Sequence, residues 1–378
     1  MKVGLVCFHT FSQPGGVKAH VLGLYKEYKK RGIKTKIIVP RRNENENYGK
    51  DVILLGTSFP LTFSGSQSDF DINFNPLAIN KILEKEKFDV LHFHNLGFPS
   101  TFQILRRSKA LNILTLHSNI KGSKFLKSFP ILVDFIDKIA NWKIDGVIGV
   151  ASFNLDVFKN FKKPKAVIPN GIDLKEFNPR VKKIKKFLDG KFNILFLGRI
   201  EKRKGLIYLL KAYKILEKKF SNLRLIVVGE GPLKVELEYW VKKNKLNNVV
   251  FEGKSNVKIG PSYFNTCDIY CSPAIFGESF GIVILEGMAC GKPVVAFANE
   301  GYKELLTGKK GGILVKNRSY KELAKILEKL VKNKKLRKKI RGIALQEVKE
   351  YSWKKVADKV LAFYKLCSIE KEKLIRVS

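Results

Sequence analysis

NILFLGRIEKRKGLIYLLKAYKILEKK, residues 193–219, holds a whole strand–turn–helix unit in its pattern. Ile194–Leu197 is a short run of bulky apolar residues without alternation, the signature of a strand buried on both faces. Gly198 ends it, a basic loop runs from Arg199 to Lys204, and Gly205 opens an amphipathic stretch to Lys218. A strand of this kind followed at once by a helix predicts a βα unit and a parallel sheet.

Outward from this unit the pattern recurs. Downstream, strands are predicted at Leu225–Val228, Val249–Phe251, Ile269–Cys271, Val294–Phe297 and Ile313–Val315. Helices fit Pro232–Lys243, Gly281–Ala289, Ser319–Lys332 and Trp353–Leu366. Upstream, strands are predicted at Val3–Phe8, Thr35–Val39, Val52–Leu55, Asp89–Phe93, Ile113–Leu116, Gly146–Val150 and Ala166–Ile168, with a helix over Val17–Arg31. Arg41–Pro76 is the least patterned region and reads as loop-rich. Between the two series, PNGIDLKEFNP (Pro169–Pro179) breaks the alternation with Pro, Gly and Asn. Two sheets in series predict twin Rossmann-like α/β domains, whose ligands belong at the carboxyl ends of the strands, in a cleft between the domains.

The chain has 378 residues, long enough for two normal cores, and 45% hydrophobic residues exclude a disordered protein. Five scattered Cys exclude a disulfide scaffold and fit a reducing compartment. No apolar run reaches the length of a membrane span, so a soluble, cytoplasmic protein is expected. Lys and Arg number 72 against 34 Asp and Glu, a net charge of +38. Such a field attracts polyanions: anionic lipid, nucleic acid or phosphorylated small molecules. The densest run, Lys332–Arg341, reads first as a solvated helix face and second as a membrane-surface patch. No interleaving of aromatic and basic residues points to specific nucleic-acid binding.

Four stretches carry candidate chemistry. Gly15 and Gly16 in QPGGVKAHV follow the first strand and open a helix whose terminal amides suit an anion, or simply make a tight turn. Arg199 offers a two-pronged grip on phosphate oxygens and Lys204 a point charge. In FGESFGIVILEGMACGKPVVA, Glu278 precedes a helix and Glu286 lies about one and a half turns into it; carboxylates there suit hydroxyl donors such as a sugar or ribose. His117, in TLHSN, emerges at a strand end, as a site residue or a hydrogen-bonded loop residue. His92 and His94 have i,i+2 spacing, but no third ligand lies near them in the sequence, so no metal site is expected. Cys267 and Cys271 read as buried apolar residues.

Taken together, the E-x7-E segment from Glu278 to Glu286, IPNGID at Ile168–Asp173, FLGR with Lys204, and VVGEGP at Val227–Pro232 resemble the retaining glycosyltransferases of family 4, with the GT-B fold. Within that family, PGGVKAHVLGL, FDVLHFH, YCSPAIFGESFGIVILEGMACG and YSWKKVADKVLAFY are most similar to phosphatidylinositol mannosyltransferases. The resemblance runs from residue 1 to about 365 and is weakest over Arg41–Pro76. It implies domains at 1–172 plus about 356–378 (acceptor) and 173–355 (nucleotide-sugar donor), with the last helix crossing back to the first domain.

The resemblance also implies residue roles. Arg199 and Lys204 neutralise the departing nucleotide diphosphate in place of a metal, and no cofactor is called for. Glu286 holds the ribose, Glu278 bonds the donor sugar, and His117 orients that sugar and its developing charge. Gly15 and Gly16 close over the diphosphate, while Gly198, Gly229, Ser279, Phe280 and Gly281 complete the donor site. Attack on the leaving-group face, with a donor phosphate oxygen taking the acceptor's proton, gives retention.

Two departures stand out. The turn Gly253–Val257, expected beside the nucleotide base, carries no acid to read guanine. Phe74–Phe88 mixes acid and base where the resemblance to lipid-acting members implies a strongly basic helix; Lys121, Lys124 and Lys127 beside Phe125 and Phe129 then read either as the membrane contact or as an ordinary packed helix start. The expected activity is hexose transfer, foremost mannose from GDP-mannose to an inositol phospholipid or inositol phosphate. The alternatives are a UDP-sugar enzyme with a small acceptor, and a non-catalytic basic protein that binds membrane or nucleic acid.

Overall fold

In the computed structural model the described residues are 1–12, 15–63, 66–73, 75–97, 99–117, 130–253 and 259–377; for 60–63, 66–69, 130–135, 375 and 377 the backbone alone is described. The chain forms two compact units, Met1–Gly171 with Trp353–Ser378, and Ile172–Ser352.

The first unit is built on β1 (Lys2–Cys7), β2 (Lys34–Arg41), β3 (Val52–Phe63), β4 (Ser66–Ile72), β5 (Val90–His94), β6 (Leu111–Leu116), β7 (Gly146–Gly149) and β8 (Lys165–Val167). They form one sheet in the order β4-β3-β2-β1-β5-β6-β7-β8. All neighbouring pairs are parallel except β3 with β4. Helices α1 (Gly16–Lys30), α2 (Pro76–Glu86), α3 (Ser100–Arg107) and α4 (Pro130–Lys143) connect the strands. Side chains alternate between two cores. Val3, Leu5 and Cys7 pack with Val21, Leu24 and Tyr28 of α1, while Val6 packs on the other face with Leu91, Phe93 and Leu114. Burial on both faces is why these strands read as unbroken apolar runs.

The β3–β4 ribbon corrects the reading of Arg41–Pro76 as loop-rich. Beyond Thr57, β3 leaves its parallel partner and pairs with β4 alone, with Phe59 opposite Phe70 and Phe63 opposite Ser66. An edge ribbon with a single neighbour tolerates Ser, Thr, Gln and even Pro60, and those residues mask a strand in the sequence.

The second unit contains β9 (Phe192–Leu197), β10 (Leu223–Val228), β11 (Val249–Phe251), β12 (Ile269–Ser272), β13 (Val294–Phe297) and β14 (Gly312–Val315). The sheet order is β11-β10-β9-β12-β13-β14, parallel throughout. Its helices are α5 (Leu206–Glu217), α6 (Lys234–Lys243), α7 (Gly260–Thr266), α8 (Ile282–Ala289), α9 (Glu300–Leu306), α10 (Tyr320–Lys332) and α11 (Lys334–Glu347). Strand order reverses at β9, where chain order sends β10 to one side and β12 to the other, so the loops after β9 and β12 are the natural ligand position.

The run Lys332–Arg341 is not one solvated face. Asn333 ends α10 and caps α11, its side chain accepting from the Leu336 amide at 2.8 Å. Arg337 turns back, donating to the carbonyls of Leu330 and Val331 and lying 4.8 Å from the Phe192 ring centre. One of the seven cations therefore closes the end of α10, where a positive charge also meets the negative pole of the helix.

The last helix, α12 (Trp353–Val377), belongs to the first unit. Trp353 lies against Gly23 and Gly171, where added Cβ atoms would sit 2.1 Å and 2.5 Å from the indole. Its Tyr364 hydroxyl reaches Tyr28 at 3.2 Å and His92 at 2.6 Å, and Arg31 pairs with Asp358 at 2.6 Å. No helix of the described residues is long and apolar enough to cross a membrane.

Candidate functional site

In the second unit the site grows from the loop after β9. Gly198 leaves the strand, and its carbonyl lies where the Cβ of any side chain at Gly229 would fall, 1.9 Å away. Gly229 also has φ +147. Both strand-end loops, after β9 and β10, therefore run backbone against backbone, which only glycine permits.

Arg199 extends from this loop and is 52% exposed, its nearest ionic partner being Glu201 at 3.7 Å. Glu201 is only 6% exposed and holds Arg203 at 2.6 Å. Arg203 reaches on to Glu278 at 2.9 Å, and Lys204 meets the same carboxylate oxygen at 2.6 Å. Three cations are thus arranged around two carboxylates, and the most exposed of the five carries the loosest contact. That is the electrostatic form of an anion site: a fixed scaffold of ion pairs with one guanidinium turned outward. Neither Glu201 nor Arg203 was singled out by sequence. Their signal was present only as surrounding charge, because the pairing depends on how the loop folds.

Glu278 lies before α8, with Ser279, the buried Phe280 and Gly281 between it and the helix. Gly281 has φ +94, and an added Cβ would lie 2.5 Å from the Tyr302 ring, so this helix start is held by glycine and tyrosine together. Glu286 is the fifth residue of α8. Burial pushes its carboxyl up to about 7; the nearby Glu176 carboxylate adds to this and Lys204 opposes it. A carboxyl poised near neutrality accepts hydroxyl hydrogen bonds best once ionised.

In the first unit, Gly15 caps α1 in an extended conformation, and nothing lies within 4 Å of where its Cβ would be. Gly16 is the first residue of α1. His117 follows β6, its backbone N–H donating to Asn95 Oδ1 at 2.7 Å. Asn95 takes φ +63 to make that contact, a left-handed conformation that Asn tolerates better than most residues.

The structure separates the two histidines of β5. His92 is not a partner for a ligand pair: both its nitrogens are taken, by the Tyr364 hydroxyl at 2.6 Å and the Thr115 hydroxyl at 2.6 Å. The third imidazole missing from the local sequence is supplied by the fold. His94 Nδ1 is 3.2 Å from His117 Nε2, and the His20 ring centre is 4.6 Å from that of His117. His20 Nδ1 lies 2.7 Å from Asn170 Oδ1. Burial lowers the His20 pKa to about 4 and holds His94 and His117 well below the usual imidazole range, with the other histidines reinforcing the shift. All three imidazoles are therefore neutral at pH 7.

Cys267 and Cys271 are buried, as are the other three cysteines, and none is bonded to another. Burial pushes the Cys267 thiol up to about 12, which suits an apolar core residue. Lys121, Lys124, Lys127, Phe125 and Phe129 lie outside the described residues, as does most of the turn after Gly253.

Two family descriptions divide the chain almost completely. Residues 14–176 match Glycosyltransferase Family 4, and residues 177–346 match Glycosyl transferases group 1. The phosphatidyl-myo-inositol mannosyltransferase of Propionibacterium freudenreichii is 30% identical over 383 residues, covering 96% of this chain and 94% of its own. This chain is a family 4 glycosyltransferase.

A phosphatidyl-myo-inositol mannosyltransferase of Mycobacterium leprae is 29% identical, with 96% of each chain covered. Among solved structures, sucrose-phosphate synthase from Thermosynechococcus elongatus superposes with a TM-score of 0.78 at 19% identity, covering 100% of each chain. Anabaena HepE in complex with UDP and glucose gives 0.74 at 19% identity, with 96% of this chain and 99% of its own covered. These neighbours give the glycosyltransferase the GT-B fold, two α/β units whose sheets are mainly parallel.

Proposed function

We propose that this glycosyltransferase is a retaining, metal-independent hexosyltransferase that moves mannose from GDP-mannose to a hydroxyl of an inositol phospholipid or inositol phosphate. The observation that carries this reading is the Arg199–Glu201–Arg203–Glu278–Lys204 array at the switch point of the second sheet. The second unit takes the donor and the first the acceptor. As the glycosidic bond breaks, charge gathers on the departing diphosphate. Arg199, already turned outward, and Lys204, released from Glu278, stabilise it where a divalent metal would otherwise be needed. Glu278, freed by the same exchange, accepts from sugar hydroxyls, and ionised Glu286 accepts from the ribose. Gly198, Gly229, Ser279, Phe280 and Gly281 shape the walls of that site, and Gly15–Gly16 supplies amides to the diphosphate.

His117, kept neutral, orients the sugar without placing a positive charge beside the developing oxocarbenium ion. The acceptor hydroxyl attacks on the face the diphosphate leaves and passes its proton to a phosphate oxygen, which retains the anomeric configuration. The inositol acceptor is supported by the relatives named phosphatidyl-myo-inositol mannosyltransferase. The +38 charge suits an anionic headgroup and a peripheral position at the cytoplasmic face of the inner membrane.

A UDP-sugar donor is the second reading, favoured by the absence of any acid in Gly253–Val257. Calorimetric titration with GDP, GDP-mannose, UDP and UDP-glucose in EDTA separates the two. Selective GDP binding that is lost in Arg199→Ala supports the mannosyltransferase, and UDP selectivity discards mannose. No binding by any nucleotide removes the donor site proposed here.

A further inference from the structure

Three imidazoles from distant parts of the chain, His20 on α1, His94 at the end of β5 and His117 after β6, each present one ring nitrogen within 4.8 Å of the other two. All three are buried. The His94 Nδ1 to His117 Nε2 separation of 3.2 Å is close to the ~3.3 Å between neighbouring nitrogens on a tetrahedral zinc with Zn–N bonds of about 2.0–2.1 Å.

The hydrogen-bond pattern leaves this cluster unfinished. Asn170 Oδ1 can only accept, so His20 Nδ1 carries the proton and its Nε2 is a lone pair. That Nε2 is buried without a hydrogen-bond partner among the described residues. An orphaned polar atom in a buried site calls for an explanation such as an ion or a bound water. The donor set decides which ion. It holds imidazole alone, with no carboxylate, and so suits the borderline divalent transition metals and not Mg2+ or Ca2+. Asn170 holds the His20 ring by its far nitrogen, the outer-shell contact that orients imidazole ligands.

We propose that His20, His94 and His117 form a binding site for a borderline divalent transition-metal ion, Zn2+ foremost, and that its occupation inhibits sugar transfer. Three protein ligands leave a fourth position for water or an anionic oxygen. The metal is inhibitory because it takes the His117 nitrogen that would otherwise orient the sugar. This consequence rests on the role given to His117 above, whereas the binding does not.

The test uses the full chain, stripped with chelator and titrated with ZnCl2 against a chromophoric chelator, and separately with CoCl2. The expected result is one Zn2+ per chain with a dissociation constant at or below roughly 10 μM. Co2+ should give the intense visible bands of a tetrahedral nitrogen site, without thiolate charge-transfer bands. His94→Ala and His20→Ala should each weaken Zn2+ by at least about tenfold with unchanged circular dichroism, the lower edge of what disturbing even an outer-shell partner costs.

Binding no tighter than about 1 mM, no tetrahedral Co2+ spectrum, or wild-type Zn2+ affinity in both variants overturns the proposal. The Co2+ spectrum of the wild type decides it even if the variants fail to fold. Millimolar Mg2+ should displace nothing. Inhibition of transfer by Zn2+ with nucleotide binding unaffected supports the second half. Zn2+ binding without inhibition overturns that half alone, and failure of every nucleotide to bind removes the donor site while leaving the metal site standing.

Discussion

Glu286 offers the sharpest test of the donor site, because its environment gives the test a pH signature. Its carboxyl moves from an ordinary 4.5 to about 7, chiefly through burial. The folded protein therefore holds a proton on Glu286 between pH 4.5 and about 7 that the unfolded chain has given up. Unfolding free energy contributed by this group consequently falls as pH rises through that window and is constant above it. At about 1.4 kcal/mol per pH unit, the 2.5-unit window from 4.5 to about 7 corresponds to roughly 3 kcal/mol. Glu286→Gln, which cannot ionise, should then be more stable than the wild type by up to that amount at pH 8, and close to it at pH 4.5.

Nucleotide binding should run the opposite way. Ribose hydroxyls donate best to the ionised carboxylate, so the nucleotide must displace the proton where Glu286 is neutral. With the pKa at about 7, some nine-tenths of the protein is protonated at pH 6 and one-tenth at pH 8. Affinity should therefore weaken about tenfold on going from pH 8 to pH 6, with proton release visible as a buffer-dependent heat. Titration calorimetry in two buffers of different ionisation enthalpy measures both effects. The phosphates of the nucleotide titrate in this range too, so the decisive quantity is the difference between the wild type and Glu286→Gln. If the two show the same pH slope and the same buffer dependence, Glu286 does not hold the ribose.

The other predictions follow from contacts described above. Arg199→Ala should lower kcat/KM by roughly 10²–10³ while leaving the melting temperature unchanged, since the side chain is half exposed and holds one long contact; a melting shift comparable to that of a core variant would count against it. Arg203→Gln leaves the buried Glu201 carboxylate with Arg199 at 3.7 Å. It should cost about 1–3 kcal/mol of stability together with a raised KM for donor, measured by denaturant unfolding and initial rates. Gly229→Ala places a methyl 1.9 Å from the Gly198 carbonyl, so soluble, fully active protein would contradict the close approach of the two loops. Gly23→Ala drives a methyl into the Trp353 indole and should cost on the order of 1–3 kcal/mol, seen as a lower melting temperature and increased hydrogen exchange in α12.

Much of this protein is legible along the chain. Unbroken apolar runs such as Ile194–Leu197 and Val294–Phe297 mark strands buried on both faces, and β9 and β13 include them. The turn glycines Gly198, Gly229 and Gly281 mark backbone at positive φ, which glycine adopts most readily. These are local properties, decided within a few residues by burial and backbone sterics, and so a sequence records them directly. The β3–β4 ribbon escaped because its pairing partner is a neighbouring strand and not a core. Its residues are therefore chosen for an edge, and Ser, Thr and Pro look the same there as in a loop.

What depended on the tertiary structure is where charges and imidazoles meet. Sequence put Arg199, Lys204 and Glu278 forward, but only folding reveals that Glu278 is shared by Arg203 and Lys204 and that the buried Glu201 anchors the array. His92 and His94 look alike in sequence, two residues apart on one strand. Tyr364, brought from the far end of the chain by α12, satisfies the first, while His20 and His117 converge on the second. A parallel sheet sends consecutive strands through long crossovers, so strand ends far apart in sequence arrive side by side. Outside the β3–β4 ribbon, the strands named above took their identity from their own residues; the chemistry at the strand ends was set by which elements the sheet placed next to one another.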